Sequence, residues 1–377
     1  MVRVMQAALW SSVAFVLLLL TACERPQAVQ GGYRGTSQIQ LYQPSTLAAN
    51  VALNTVPEPE PVDDPDPEAP KLDEVYKNVQ VLTDLSVLDF SRLMQAMSTW
   101  VAPEQGCSYC HNTKNLASDE KYAKIVARHM LQMTRNINNT WKTHVGETGV
   151  TCYTCHRGQP VPSGDWFKNP GLPTQVASDF MGGKHGQNTP TMATVGNASL
   201  PYDPLSKFLD SKDSPTIRVQ GEKALAGTNG TSVKLAENTY GLMIYISNSL
   251  GVNCTFCHQT RAMANWQQSS PQRVTAWHGI RMVRDLNTTY LAKVGPLLPE
   301  HRLSAEGDYP KVGCATCHKG ANKPLYGSKM LPDYPELGVG AKAPYAGGAT
   351  AFKDVEGLNP YKSPPPKPKP PATPGTS

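Results

Sequence analysis

Four Cys-x-x-Cys-His motifs constrain this chain more than any other feature. They are Cys107-Ser-Tyr-Cys110-His111, Cys152-Tyr-Thr-Cys155-His156, Cys254-Thr-Phe-Cys257-His258 and Cys314-Ala-Thr-Cys317-His318. The chain has nine cysteines, the ninth being Cys23, so none is left for a structural disulfide. The motif reads as covalent attachment of a c-type haem. The two sulfurs form thioethers with the haem vinyl groups, and the adjacent His is held under the iron as proximal ligand. A single motif would leave a zinc or thiol-redox site open. Four, each followed directly by His, point to four haem c groups.

Composition agrees. Aromatics are 7% and charged residues 17%, against 33 Pro and 30 Gly. A chain of 377 residues would ordinarily have more aromatic bulk for its core, and haem supplies what is missing. The net charge of +5 is modest. Without a dense basic run interleaved with aromatics, nucleic-acid binding is excluded.

Bacterial haem attachment takes place outside the cytoplasm, so an export signal is expected. Arg3 precedes a mostly apolar stretch to Leu20, the pattern of a signal peptide. Leu20-Thr21-Ala22-Cys23 has the form of a lipobox. Cleavage before Cys23 and lipidation of its sulfur would anchor the chain, since two or more acyl chains hold stably. The competing reading is a retained helix over 4–22, just long enough to span. No other segment is.

The expected organisation is a signal peptide over 1–22, an extended, acidic, Pro-rich segment over 23–70 and a first two-haem half over 71–165. A connector over 166–234, a second two-haem half over 235–335 and a Pro/Lys-rich tail over 336–377 follow. Helical periodicity predicts helices over Asp84–Trp100, Asp119–Trp141, Thr239–Leu250 with Asn238 as N-cap, and Gln272–Ala292 with Ser270 as N-cap and Pro271 at the first position. A short N-terminal sheet stays open. The fold class is mainly α, a multihaem cytochrome c of helix–turn–motif units.

The chain repeats. Met133–Trp141 aligns without a gap with Met282–Tyr290, and Leu93-Met94 with Leu242-Met243. Two halves with an approximate two-fold relation are therefore expected. A sixth ligand closes each iron for electron transfer, whereas an open position permits catalysis. Met94, Met130 and Met243 recur on the apolar stripes ahead of the first three motifs, with Met97 and Met133 as close competitors. Met130 aligns with Gly279, so the fourth iron lacks a Met there. Spacing alone does not choose among His144, His278 and His301.

Several stretches resemble the tetrahaem cytochrome subunit of purple-bacterial photosynthetic reaction centres. They are Leu20–Pro26, Gly32–Gly35, Arg92–Met94, Met130–Arg135, Gly149–Gly158 and Gly279–Asp285. The resemblance implies that Met94, Met130 and Met243 ligate the first three irons opposite His111, His156 and His258, and that His144 reaches across to the fourth, opposite His318. It implies an electron carrier, not an enzyme, on the periplasmic face of the inner photosynthetic membrane. Its partners would be the L, M and H subunits, the surrounding light-harvesting complex, and a soluble cytochrome c or high-potential iron–sulfur protein as donor. The third haem would lie nearest the bacteriochlorophyll pair, and the donor would dock near the first. The alternative is another membrane-anchored periplasmic multihaem carrier or reductase, which needs an open iron. Mass spectrometry of membrane-extracted protein is expected to find a chain that begins at Cys23 with acyl mass on it. A peptide retaining residues 4–22 would mean a retained helix.

Overall fold

The computed structural model describes residues 24–30, 39–61, 68, 70–168, 200, 203–213, 216–217, 219 and 232–338. Cys23, the Gly32–Gly35 stretch, His185, part of the acidic run and the tail from 339 lie outside them. The described chain is mainly helical. A hairpin of β1 (Gln27–Gln30) and β2 (Ile39–Tyr42) pairs Gln27 with Tyr42. The helices are α1 (Pro44–Leu53), α2 (Val87–Val101), α3 (Tyr122–Thr140) and α4 (Cys152–His156). They continue with α5 (Leu205–Leu209), α6 (Val233–Leu250), α7 (Pro271–Asp285) and α8 (Cys314–His318). A π-turn over Leu286–Leu291 extends α7.

Local chemistry moves the predicted boundaries. The first long helix starts at Val87 because the Ser86 hydroxyl accepts the Asp89 amide at 3.1 Å, a standard N-cap. The second starts at Tyr122 because Asp119 is held outside it, accepting from Arg128 and Asn78. Ser232, not Asn238, caps α6 by accepting the Leu235 amide at 3.2 Å. Ser270 does precede Pro271 at the start of α7. Its hydroxyl, however, donates to the Phe256 carbonyl at 2.6 Å instead of capping.

The segment expected to be extended over 23–70 holds the hairpin and α1. Long-range polar ties dock them: Tyr42 Oη donates to the Gly251 carbonyl (2.9 Å), Asn50 Nδ2 to Gly320 (3.2 Å) and Asn54 Nδ2 to Lys319 (3.3 Å). Part of the acidic run is fixed too. The Glu60 amide donates to Tyr334 Oη at 2.9 Å, and Arg92 Nε donates to the Glu60 and Pro61 carbonyls.

Two apolar clusters form the core, one around Trp141, Phe208, Leu242 and Leu286, the other around Leu93, Trp100, Tyr334 and Leu337. Buried asparagines stitch them to the motifs. Asn138 donates to the Val150 and Leu337 carbonyls (2.9 Å each) and accepts the Val150 amide (2.7 Å). Its repeat partner Asn287 donates to Leu209 and Val312 (2.9 Å each) and accepts the Val312 amide (2.8 Å). Val150 and Val312 each stand two residues before a motif cysteine. Arg135 Nε donates to the Glu336 carbonyl and Arg284 Nε to Phe208. The amides of Gly158 and Gly320 bond the carbonyls of Trp100 and Ser249, each the last residue but one of its helix, α2 and α6.

Asn138→Ala would leave three buried backbone groups without partners. The expected loss is about 2–4 kcal/mol of unfolding free energy, from the cost of unsatisfied buried groups. Denaturant titration checks it, and a change within the ~0.5 kcal/mol typical of surface sites would show that those groups find other partners.

Candidate haem sites

The four motifs adopt two kinds of turn. The first and third form single 3₁₀ turns, Gly106–Tyr109 and Cys254–Phe256. Each closes with the histidine amide on the first cysteine's carbonyl, at 2.9 Å in both. The second and fourth are the one-turn helices α4 and α8. Thr154 Oγ1 accepts the Thr151 amide (3.0 Å) and Thr316 Oγ1 the Gly313 amide (2.9 Å). The left-handed Arg157 (φ 51°) and Lys319 (φ 46°) end these helices, each followed by a positive-φ glycine.

Every motif histidine points Nδ1 at a backbone carbonyl. His111 Nδ1 donates to Leu116 at 3.1 Å, His156 to Gln159 at 2.8 Å, His258 to Met263 at 2.7 Å and His318 to Ala321 at 2.9 Å. A carbonyl only accepts, so the proton sits on Nδ1 and the Nε2 lone pair is left for a metal. Burial pushes His318 down to about 4 and lowers His156 and His258 as well. In these three, burial favours the neutral ring, the form that ligates.

A cavity of about 770 Å³ runs between the first two motifs, walled by Cys110, His111, Cys155, His156, Met94 and Met130. That falls within the ~300–1,000 Å³ of cofactor sites. Apolar walls, thiols and an imidazole from each of the two motifs fit haem c. Met97 and Met133 line the cavity as well. Met133 is packed in the core with Ile137 and Trp141, whereas Met130 is only partly buried at that core's edge. Met243 borders the same core, and Met94 and Met97 border the other. The hydroxyls of Ser98 and Thr134 donate to the carbonyls of Met94 and Met130.

His144 lies in a helical turn over Lys142–Val145. Its Nδ1 donates to the Thr275 carbonyl of α7 at 2.9 Å. Its ring centre is 6.0 Å from that of His318, the planes inclined by 63°. Two metal–nitrogen bonds of about 2 Å each plus the two ring radii fill that span. Burial lowers the pKa of His144 too. Of the other histidines left open by spacing, His278 is buried on α7 and His301 is exposed in the 3₁₀ turn Glu300–Arg302.

The loop after His111 is tied down by charge. Lys124 Nζ donates to the carbonyls of Leu116, Ala117 and Ser118, each at 2.9 Å. Leu116 is also the acceptor for His111. Asp119 pairs with Lys124 and Arg128. A reading by halves missed one contributor. Arg302, from the second half, donates to Tyr109 Oη (3.1 Å) and Tyr122 Oη (3.3 Å) at the first motif. No local sequence signal marks it.

Residues 23–338 match the family model of the photosynthetic reaction centre cytochrome c subunit. The chain belongs to this family. It is 49% identical over 338 residues to the photosynthetic reaction center cytochrome c subunit of Rubrivivax gelatinosus, covering 89% of both chains. It is 48% identical over 325 residues to that of Thermochromatium tepidum, covering 86% of this chain and 78% of the relative. With that of Roseobacter denitrificans identity is 43% over 275 residues, covering 70% and 72%. Membership implies covalently bound haem c, which the paired thiols and oriented histidines of this family member suit. Among the described residues no helix is long and apolar enough to cross a membrane.

Hydrogen bonding from Arg128, above all, holds the Asp119 carboxyl well below the usual carboxylate range. A lowered folded-state pKa stabilises above the unfolded value of about 3.9 and ceases to as the pH falls toward the folded value. Asp119→Asn is therefore expected to be less stable than the parent at neutral pH and to lose less on acidification below about pH 4. Thermal unfolding against pH checks this, and parallel curves for the two proteins would overturn it.

Proposed function

We propose that this chain carries electrons, through four covalently bound haems, from a soluble periplasmic donor to the photo-oxidised bacteriochlorophyll pair of a photosynthetic reaction centre. The observation that carries the reading is the common posture of His111, His156, His258 and His318. Each Nδ1 is spent on a backbone carbonyl and each Nε2 is left for iron. Haem bound there supplies one-electron exchange between Fe(III) and Fe(II).

The chain's own residues do the rest. Cys107, Cys110, Cys152, Cys155, Cys254, Cys257, Cys314 and Cys317 fix position by thioether bonds. Met94, Met130 and Met243 close the sixth position at the first three sites, and a thioether ligand favours the reduced state. His144 closes the fourth and favours it less, so three sites are high in potential and one is low. Axial ligation spans roughly 0.8 V, ample for that ordering. With every sixth position taken, the reductase reading has no iron at which to bind substrate.

The two-haem halves, over 71–165 and 235–335, pack about an approximate two-fold axis. Repeat-equivalent residues that touch each other support this, as in symmetric interfaces. Asn136 Nδ2 donates to Asp285 Oδ2 at 3.4 Å, and Cys155 and Cys317 lie side by side. Lipidated Cys23 would hold the subunit on the periplasmic face of the inner membrane, against the L, M and H subunits. The site of Met243 and His258 would face the pigments, and the site of Met94 and His111 would face a soluble cytochrome c or high-potential iron–sulfur protein.

The test is a redox titration of the haem α-bands in isolated membranes, with flash-induced oxidation recorded on the same sample. A flash is expected to oxidise a high-potential haem within about a millisecond, inside the μs–ms range of functional protein events, and the titration to resolve three high components and one low. Four haems that titrate but never respond to light would leave an electron carrier without this partner. Carbon monoxide binding to the reduced native protein would favour the reductase.

A further inference from the structure

We infer that Gly279 is the positioning residue that decides what ligand the fourth haem receives. It does so by leaving open the space that the His144 imidazole occupies. The inference rests on the proposed His144 ligation and goes beyond it by naming what makes the crossing possible.

In a helix the carbonyl of residue i points toward residue i+4. His144 donates to the Thr275 carbonyl, so its ring lies over position 279, four residues on. A Cβ placed on Gly279 would stand 2.6 Å from Cε1, 2.9 Å from Nδ1 and 3.1 Å from Nε2 of that ring. Real Cβ atoms do not approach a ring so closely, and this ring is not the loose end of a flexible chain. It is pinned by Thr275 on one side and faces His318 at 6.0 Å between ring centres on the other. Gly279 is buried in mid-helix and its φ is not positive, so its missing side chain serves space and not backbone conformation.

The other half holds the complementary pair. Position 279 is in register with Met130, and His144 with Lys293. Lys293 lies near His129 as His144 lies near His278, which keeps the two neighbourhoods in step. Where the helix carries a thioether, the crossing position carries a lysine. Where the helix carries no side chain, the crossing position carries an imidazole. Either the residue at 130/279 or the one at 144/293 therefore supplies the ligand, and at the fourth site a side chain at 279 and the His144 ring exclude each other sterically.

The test uses the full haem-loaded protein and three variants, read by near-infrared magnetic circular dichroism, low-temperature electron paramagnetic resonance and redox titration. The parent is expected to show one bis-imidazole haem and three imidazole–thioether haems. Absence of the bis-imidazole signal would overturn the His144 assignment itself. With that signal present, Gly279→Ala is expected to lose it and to change the potential of that haem alone. An unchanged signal and potential in Gly279→Ala would overturn the role of Gly279 while leaving His144 as ligand. His144→Ala is expected to give a five-coordinate fourth haem. Adding Gly279→Met to it removes the clash, so the double variant folds even where Gly279→Ala does not accumulate. It is expected to show a fourth imidazole–thioether haem at raised potential, and a fourth haem that stays five-coordinate there would also overturn the inference.

Discussion

The proton on Nδ1 of each motif histidine is the constraint on which the rest of the site depends. The cysteines fix where an attached ring can sit, but only the carbonyl opposite Nδ1 fixes how the imidazole is turned. Two turn designs reach that end. In the 3₁₀ motifs the acceptor lies five residues past the histidine, at Leu116 and Met263, and a loop must be held to present it. At the first motif, Lys124 holds it with three hydrogen bonds. In α4 and α8 the acceptor lies three residues on, at Gln159 and Ala321, which demands a tight reversal. The left-handed residues there are Arg157 and Lys319, not glycine, at about 1–2 kcal/mol each. Their side chains offset that strain. Arg157 donates to the carbonyls of Thr154 and Cys317, and Lys319 to Ser163. Hydrogen bonds from charged groups contribute about 1.5–3 kcal/mol.

Polar ties and not apolar bulk carry the frame outward from these turns. Asn138 and Asn287 clamp the strand-like approach to α4 and α8. The partners they reach, Leu337 and Leu209, come from segments that follow the opposite half in sequence or lie in the connector. Arg135 adds a bidentate pair with Asp84 and is almost wholly buried. At the seam, Asp285 accepts from Trp141 Nε1 at 3.0 Å and from Thr289 at 2.8 Å, so the carboxylate is solvated by neutral donors from both halves. Such directional groups set register in a way that interchangeable aliphatic contacts do not.

What was legible in the sequence follows the same division. The Cys-x-x-Cys-His motifs were legible because each is written in five contiguous residues, and α2, α3 and α7 were legible because their apolar stripes are long. The start of α6 was misread because Ser232 precedes a stretch whose stripe is weak. Asp119 looked like a helix start but is used by Arg128 and Lys124. The hairpin stayed open and α1 gave no signal, because Tyr42, Asn50 and Asn54 bond carbonyls roughly two hundred residues or more away in sequence. Arg302 was invisible for the same reason. The identities Arg135/Arg284 and Asn138/Asn287 stood in the repeat alignment, yet their meaning as backbone clamps needed the fold.

Repetition explains why the halves are alike, but a repeated unit with identical ligands would give sites of similar potential and no ordering among them. The differences between the halves therefore carry functional information that the likenesses do not. Two of them bear on the proposed ligation: Met130 against Gly279, and His144 against Lys293. Neither residue of a pair explains the outcome by itself. An imidazole in the turn before α4 is useless if a side chain fills the groove on α7, and an empty groove only costs helix stability, about 0.5–1 kcal/mol for a mid-helix glycine. Under the proposed ligation they would together turn a cost in one half into a ligand for the other, and join the halves at the site where their chemistry diverges.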